Sequence, residues 1–293
     1  MSPLRRIGVC LCVGVLAGCA PDAPDGPDAA APAALASAAT ATASAGDSGR
    51  AELDDPSGDE EPRSAAGLDG TAGMPSVAIE FDWVDPLALG ESVVVRAADD
   101  VLVAYDAPEG GASSVVELAN PTPRGGPLVL AAVDPGAAER AEWVEVHLPV
   151  RPNGSTAWVR AADVDLFRNP YSVEVSTSEF EMTVFENDEP IVVAEIAVGR
   201  EVAPTPHGEF FLAELLQPES PDGTYGPFAF GLSGFSDVYT EFAGGDGVIG
   251  IHGTNAPDLL GTAASHGCVR VDNETIETLA SLLPLGTPVT VSA

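Results

Sequence analysis

From Ser92 onward the apolar residues come in short runs, cut by Gly, Pro, Asn or Asp before they can complete three turns of helix, and this restricts the chain to a mostly β fold. Ser92–Val95, Val101–Val103, Val115–Leu118 and Leu128–Leu130 are the first such runs. Trp143–Pro149 and Thr156–Arg160 then alternate on either side of Arg151-Pro152-Asn153-Gly154, and alternation around an Asn-Gly turn is a hairpin signal. Trp143 and Trp158 are expected in the core of this stretch. The pattern restarts at Asn169. Phe180–Glu186 alternates, Asn187-Asp188-Glu189-Pro190 turns, and Ile191–Val198 returns as a hairpin with one wet face. Gly208–Ala213, Gly247–Ile251 and Val289–Val291 read as further strands. Only Ile276, Leu279, Ala280 and Leu283 fall at helical spacing, with Asp272 or Asn273 as N-cap and Pro284-Leu285-Gly286 as the stop. No internal repeat is present.

The chain of 293 residues has room for one or two ordinary domains. Arg5 and Arg6 precede the apolar run Ile7–Leu16, which is too short to span a bilayer and reads as an export signal. It ends in Leu16-Ala17-Gly18-Cys19, which resembles the bacterial lipobox. That resemblance implies cleavage before Cys19 and a lipid on its thiol; the alternative is an ordinary signal holding a chance cysteine. Residues 20–75 are rich in Ala, Pro, Asp, Ser and Gly and too poor in large apolar side chains to offset ordering entropy. They read as a disordered tether, spanning about 40 Å on average. The formal net charge is −33, from 45 acidic residues, 12 arginines and no lysine. Residues 169–293 alone hold 19 acids against Arg200 and Arg270. Such a surface repels nucleic acid and anionic membrane, so nucleic acid is not an expected partner. Solubility, rather than specific cation binding, is the expected reason for the acid excess.

The chemistry concentrates in Ser265-His266-Gly267-Cys268-Val269-Arg270, with His252 upstream in Ile251-His252-Gly253-Thr254. Of the four cysteines, Cys10, Cys12 and Cys19 lie in the export segment, so Cys268 is the only thiol in the folded portion and a disulfide framework is excluded. A thiol attacks as the thiolate and needs a neighbour to take its proton. His252 and His266 are both candidates. Backbone N–H groups of Gly267 and Cys268 are natural donors to a developing oxyanion, and Gly267 lets the backbone approach a reacting carbonyl. His147 and His207 read as structural and as an exposed turn residue, respectively.

These residues resemble the catalytic motif of the bacterial L,D-transpeptidases, in which a histidine precedes a Ser/Thr-His-Gly-Cys signature. Val198-Gly199-Arg200, Thr205–Phe210, Tyr225-Gly226-Pro227, Gly231–Gly234, His252–Asn255 and Gly286–Val289 extend the likeness over about residues 170–293. It implies a cysteine acyltransferase acting on peptidoglycan stem peptides: a Cys268 thioester, release of D-Ala, and a 3-3 cross-link. His252 would be the base, with its ring oriented by a backbone carbonyl near Gly253, and His266 a second ring beside the thiol. Arg270, Tyr225, Thr254 and Ser265 would border the substrate, Arg270 either holding a carboxylate or bracing the loop. No cofactor and no metal is expected. Residues 76–168, in turn, resemble a bacterial SH3-like barrel, which implies either a wall-binding module or a scaffold.

The expected organisation is a lipoprotein signal peptide (1–19), a tether (20–75), an SH3-like β module (76–168) and a catalytic domain (169–293) built as a β-sandwich with one capping helix. The expected partners are stem peptides and, through the lipid on Cys19, a bacterial membrane, with the protein exported and facing the wall or periplasm. Three rivals stand beside this reading. One is a zinc site on His252, His266 and Cys268, which lacks a convincing fourth ligand. The second is a wall-binding lipoprotein without activity. In the third, the same acyl-enzyme is resolved by water, as an L,D-carboxypeptidase, or by a protein amine, attaching a protein to the wall.

Overall fold

Two cores are laid down one after the other along the chain, and a single strand later joins them. The computed structural model describes residues 90–241 and 245–293, all within one compact unit. The signal segment, Cys19, the 20–75 tether and the first residues of the 76–168 module lie outside the described residues. The first core is built by β1 (Ser92–Ala97), β2 (Val101–Tyr105), β3 (Ser114–Ala119), β4 (Val129–Ala131), the single-turn α1 (Pro135–Ala138), β5 (Trp143–His147), β6 (Thr156–Arg160) and β7 (Val164–Asn169). A three-stranded sheet β4-β1-β7 and a four-stranded sheet β3-β2-β6-β5 enclose it. Period-two alternation sends Val144, Val146, Ala157 and Val159 inward.

That same alternation corrects the expectation for the two tryptophans. With Val144 and Val159 taking the inner positions, Trp143 and Trp158 must face outward, and both are half-buried outside the core. Trp158 pairs across from Tyr105. Trp143 packs edge-on to the Tyr105 ring at 5.3 Å, and the Arg160 guanidinium lies over both rings. At the far edge, Arg168 of β7 is 8% exposed and held by two carboxylates: its Nε donates to Glu139 Oε1 at 2.6 Å, and its Nη1 lies 3.6 Å from Glu91 Oε2.

The second core is built by β8 (Tyr171–Ser176), β9 (Glu181–Glu186), β10 (Glu189–Glu195), β11 (Val198–Gly199), β12 (Gly208–Leu216), β13 (Ala229–Phe235), β14 (Val248–His252), β15 (Ala263–Ser265), β16 (Val269–Arg270), α2 (Asn273–Leu282) and β17 (Pro288–Ser292). Eight of these strands form one sheet in the order β10-β9-β8-β17-β12-β13-β14-β16, and β11 pairs with β15 beside it. The fold is therefore mostly β with one substantial helix. The hairpin turn is tighter than its sequence reads. Asn187 and Asp188 alone take positive φ (51° and 63°), and Pro190 already pairs with Phe185. Asp272 caps α2, its Oδ1 accepting from the Thr275 N–H at 2.9 Å, and Ile276, Leu279 and Ala280 turn into the core.

Strand β12 faces both cores. Phe210 packs with Val289, Leu212 and α2 in the second, while Phe211, fully buried, completes the first. Adjacent residues on a strand point to opposite faces, so the two cores share a wall. Truncating a buried Phe costs about 3–5 kcal/mol, so the first core is stabilised on that scale by a residue outside its own segment.

Candidate active site

His252 ends β14 and Arg270 ends β16, and the two are direct partners in a parallel pairing. Their side chains therefore sit side by side on the same face, one strand spacing apart. Cys268 precedes β16 at the exit of a tight turn and is half-buried. A small cavity is lined by Thr224, Tyr225, His252, Ser265, His266, Cys268 and Arg270.

The His252 ring is aimed by the backbone. Its Nδ1 donates to the Gly253 carbonyl at 2.6 Å, which leaves Nε2 as the basic nitrogen. Burial pushes its pKa down to about 4; the Gly253 bond opposes this, and the Arg270 guanidinium adds to it. The imidazole is thus neutral at neutral pH and ready to accept a proton. Gly253 is required by packing, because a Cβ there would meet Asn273 Oδ1 at 2.4 Å. Gly226 (φ 65°) would clash with the same atom, so the two glycines let the Tyr225 segment lie against the base. The Tyr225 and His252 rings are 4.7 Å apart.

The turn before the thiol is braced from within. Ser265 Oγ accepts from the Gly267 N–H at 3.0 Å and donates to the Cys268 carbonyl at 2.6 Å. This corrects the donor role expected for Gly267, whose N–H is committed to Ser265. Gly267 serves instead through its backbone: φ is 125°, and a Cβ would lie 2.8 Å from Ile249 Cδ1. Thr254 is also turned away from the cavity. Its N–H donates to Asn273 Oδ1, and its Oγ1 accepts from the Ala256 N–H. Thr254 holds the loop after the base and does not border the pocket.

Arg270 resolves differently from a bracing ion pair. It is 6% exposed, its Nε is buried without a hydrogen-bond partner, and it makes no ion pair among the described residues. Arg200 does not line the cavity, but its Nη2 meets Nε2 of His266, which does. With the guanidinium as donor, that ring nitrogen is the acceptor, so His266 is held as a neutral ring. Of the two arginines of residues 169–293, Arg270 lines the cavity and Arg200 contacts it through His266. Thr224 and the Arg200–His266 contact were not legible as site features; only the Tyr225-Gly226-Pro227 and Val198-Gly199-Arg200 blocks pointed near them. His207 is exposed and contacts Thr177 Oγ1. His147 is half-buried in the first half, with its pKa lowered by burial. Among the described residues no group of three His, Cys, Asp or Glu side chains is arranged to hold a metal ion.

A thiol at a glycine-relaxed turn and an oriented neutral imidazole thus line one cavity. The model for the YkuD L,D-transpeptidase catalytic domain matches residues 170–291. The candidate L,D-transpeptidase YkuD of Bacillus subtilis (strain 168) is 34% identical over 128 residues, which are 44% of this chain and 70% of that protein. The YkuD of Bacillus licheniformis is 36% identical over 123 residues, 42% of this chain and 66% of that one. The chain belongs to the YkuD family of L,D-transpeptidases. Among solved structures, Bd1075 of Bdellovibrio bacteriovorus is 30% identical with a TM-score of 0.33, covering 42% of this chain. The chain spans about half of that structure's length (48%). An L,D-transpeptidase from Mycobacterium tuberculosis H37Rv is 15% identical with a TM-score of 0.38, covering 57% of this chain and 90% of that one.

Proposed function

We propose that this protein is a peptidoglycan L,D-transpeptidase working through a Cys268 thioester. The observation that carries the reading is the convergence on one cavity of a thiol, an oriented neutral imidazole and a buried cation with no counter-ion among the described residues. Cys268 Sγ attacks the carbonyl of the amide that joins the third stem residue to its terminal D-Ala. His252 Nε2 takes the thiol proton and returns it to the departing amine, releasing D-Ala and leaving the thioester. An amine on a neighbouring stem then attacks, His252 takes its proton, and the thiol is regenerated as a 3-3 cross-link forms. Arg270 binds a carboxylate of the donor stem. Seating an anion there also offsets the guanidinium's lowering of the His252 pKa, so the base strengthens when substrate binds.

The rest of the chain supports placement of this head at the wall. Arg5, Arg6 and the run ending at Leu16-Ala17-Gly18-Cys19 support export and a lipid on Cys19. The composition of 20–75 supports a tether, and the short strands after it support an SH3-like module over 76–168 ahead of a catalytic domain over 169–293. The deciding experiment supplies a tetrapeptide stem and follows D-Ala release and intact mass. We expect a transient adduct on Cys268 in the full-length protein, and none with Cys268→Ala, whose thermal unfolding stays close to that of the parent. Release of D-Ala at the parent rate by Cys268→Ala would overturn the assignment.

A further inference from the structure

The turn between β5 and β6 does not merely close a hairpin. It carries Arg151 and Asn153, which make five hydrogen bonds to the last residue of β13 and to the segment that follows it. Arg151 Nη1 donates to the Ser236 carbonyl at 2.8 Å, and Nη2 to the carbonyls of Tyr239 (2.9 Å) and Asp246 (3.1 Å). Asn153 Nδ2 donates to the Phe235 carbonyl at 2.8 Å, while its Oδ1 accepts from the Phe235 N–H at 2.9 Å. The Arg151 guanidinium also lies over the Phe235 ring, 4.8 Å from its centroid. The planar fork of the guanidinium reaches three carbonyls from two nitrogens, and a charged donor makes each bond stronger than a neutral one would.

The grip lands beside the thiol's surroundings. Ser236 Oγ accepts from the N–H groups of Val238 and Tyr239, and the Ser236 N–H donates to the Gly247 carbonyl. Gly247 takes φ 70°, and a Cβ there would lie 2.2 Å from the Tyr239 carbonyl oxygen. The backbone at Tyr239 is therefore fixed by its own segment on one side and by Arg151 on the other. The ring it presents stands 6.1 Å from the His266 ring, edge to face. His266 itself lines the Cys268 cavity.

We infer that Arg151 and Asn153 are positioning residues for the active site, holding the Phe235–Tyr239 segment so that the Tyr239 ring stays against His266. Substrate handling at Cys268 then depends on a turn of the first half that contributes no side chain to the cavity. As an effect on turnover this rests on the proposed transpeptidase reading; as a statement about the His266 ring it does not.

The test uses the full-length protein and reads both levels. Histidine ring NMR of the four histidines should show the His266 signals displaced in Arg151→Ala and in Tyr239→Ala, with those of His252 in place. In donor kinetics each single variant should lose about tenfold in kcat/KM, while alkylation of Cys268 by a small reagent changes less than about twofold. The double variant should lose no more than either single one, because both act through one contact. Arg151→Lys, which keeps the charge without the fork, should recover only part of the loss. Should Arg151→Ala fail to fold, Asn153→Ala carries the same comparison with two of the five bonds removed. Unmoved His266 signals in the folded variant, or losses that multiply in the double variant, overturn the inference. A parent protein that releases no D-Ala sinks the transpeptidase reading alone, and the ring signals still decide the positioning.

Discussion

Arg168 and Arg270 are buried to nearly the same degree, 8% and 6% exposed, yet their surroundings are opposite. Arg168 sits between Glu139 and Glu91, so its charge is neutralised by the chain itself. Arg270 has no carboxylate among the described residues, although the segment around it holds 19 acids. A buried cation is costly unless paired, and a fold this rich in acids that leaves Arg270 unpaired among the described residues supports the proposal that an anion from outside binds there. The neighbours agree with the contrast. Arg168 closes the rim of a core, whereas Arg270 stands beside a neutral imidazole and a thiol.

The largest effect should come from breaking the satisfied pair. Arg168→Ala leaves Glu139 buried without its cation, and removal of one partner from a buried pair costs about 3–5 kcal/mol. Chemical denaturation should show a loss of that size, with D-Ala release per folded molecule unchanged. A loss below about 1 kcal/mol would mean that the pair is effectively solvated and that the contrast with Arg270 is weaker than its geometry implies.

The next effect is a pH dependence on the Arg270 side. The folded-state pKa of His252 is lowered to about 4 from an ordinary 6.5. Between those values the unfolded chain binds a proton that the folded one does not, so stability is full above pH 6.5 and falls as pH drops toward 4. The loss is on the order of 3 kcal/mol. Acylation of Cys268 should fall on its acid side with the same group, as His252 becomes protonated. Arg270→Met removes the guanidinium that helps lower this pKa, so the acid limb should move to higher pH while staying below 6.5, because burial is the larger cause. Rate–pH profiles of the two proteins that superimpose would show that Arg270 does not act on the base.

Local rules made much of this legible in the sequence and left the rest hidden. Alternation and turn residues placed the β9–β10 hairpin, the β5–β6 hairpin and α2, because these depend on contacts close along the chain. The Cys268 and His252 blocks were legible because their chemistry is dense in a short stretch. Phe211 completing the first core was not, since it comes from a strand more than a hundred residues after β1 and its neighbour Phe210 serves the other core. The outward tryptophans were misread because residue type was given more weight than register. Gly267 was misread as a donor because only the folded turn shows Ser265 Oγ taking its N–H. Arg270 is the instructive case: its position was plain, but whether an acid would reach it depended on the whole fold.

The smallest effect is the sharpest test of the contrast. Met fills nearly the same volume as the stem of Arg and removes an unpaired buried charge, so Arg270→Met should leave stability unchanged or raise it, the opposite of Arg168→Ala. What it should lose is donor affinity. A charged hydrogen bond to a carboxylate contributes about 1.5–3 kcal/mol, so the donor KM should rise by at least about tenfold. A donor amidated at the carboxylate that Arg270 recognises should bind parent and variant alike. The amide arm separates recognition from geometry: a general distortion of the β16 end would weaken both donors, whereas loss of a single anion contact weakens only the charged one. If Arg270→Met instead unfolds the protein as Arg168→Ala does, the guanidinium is structural and the two arginines are alike after all.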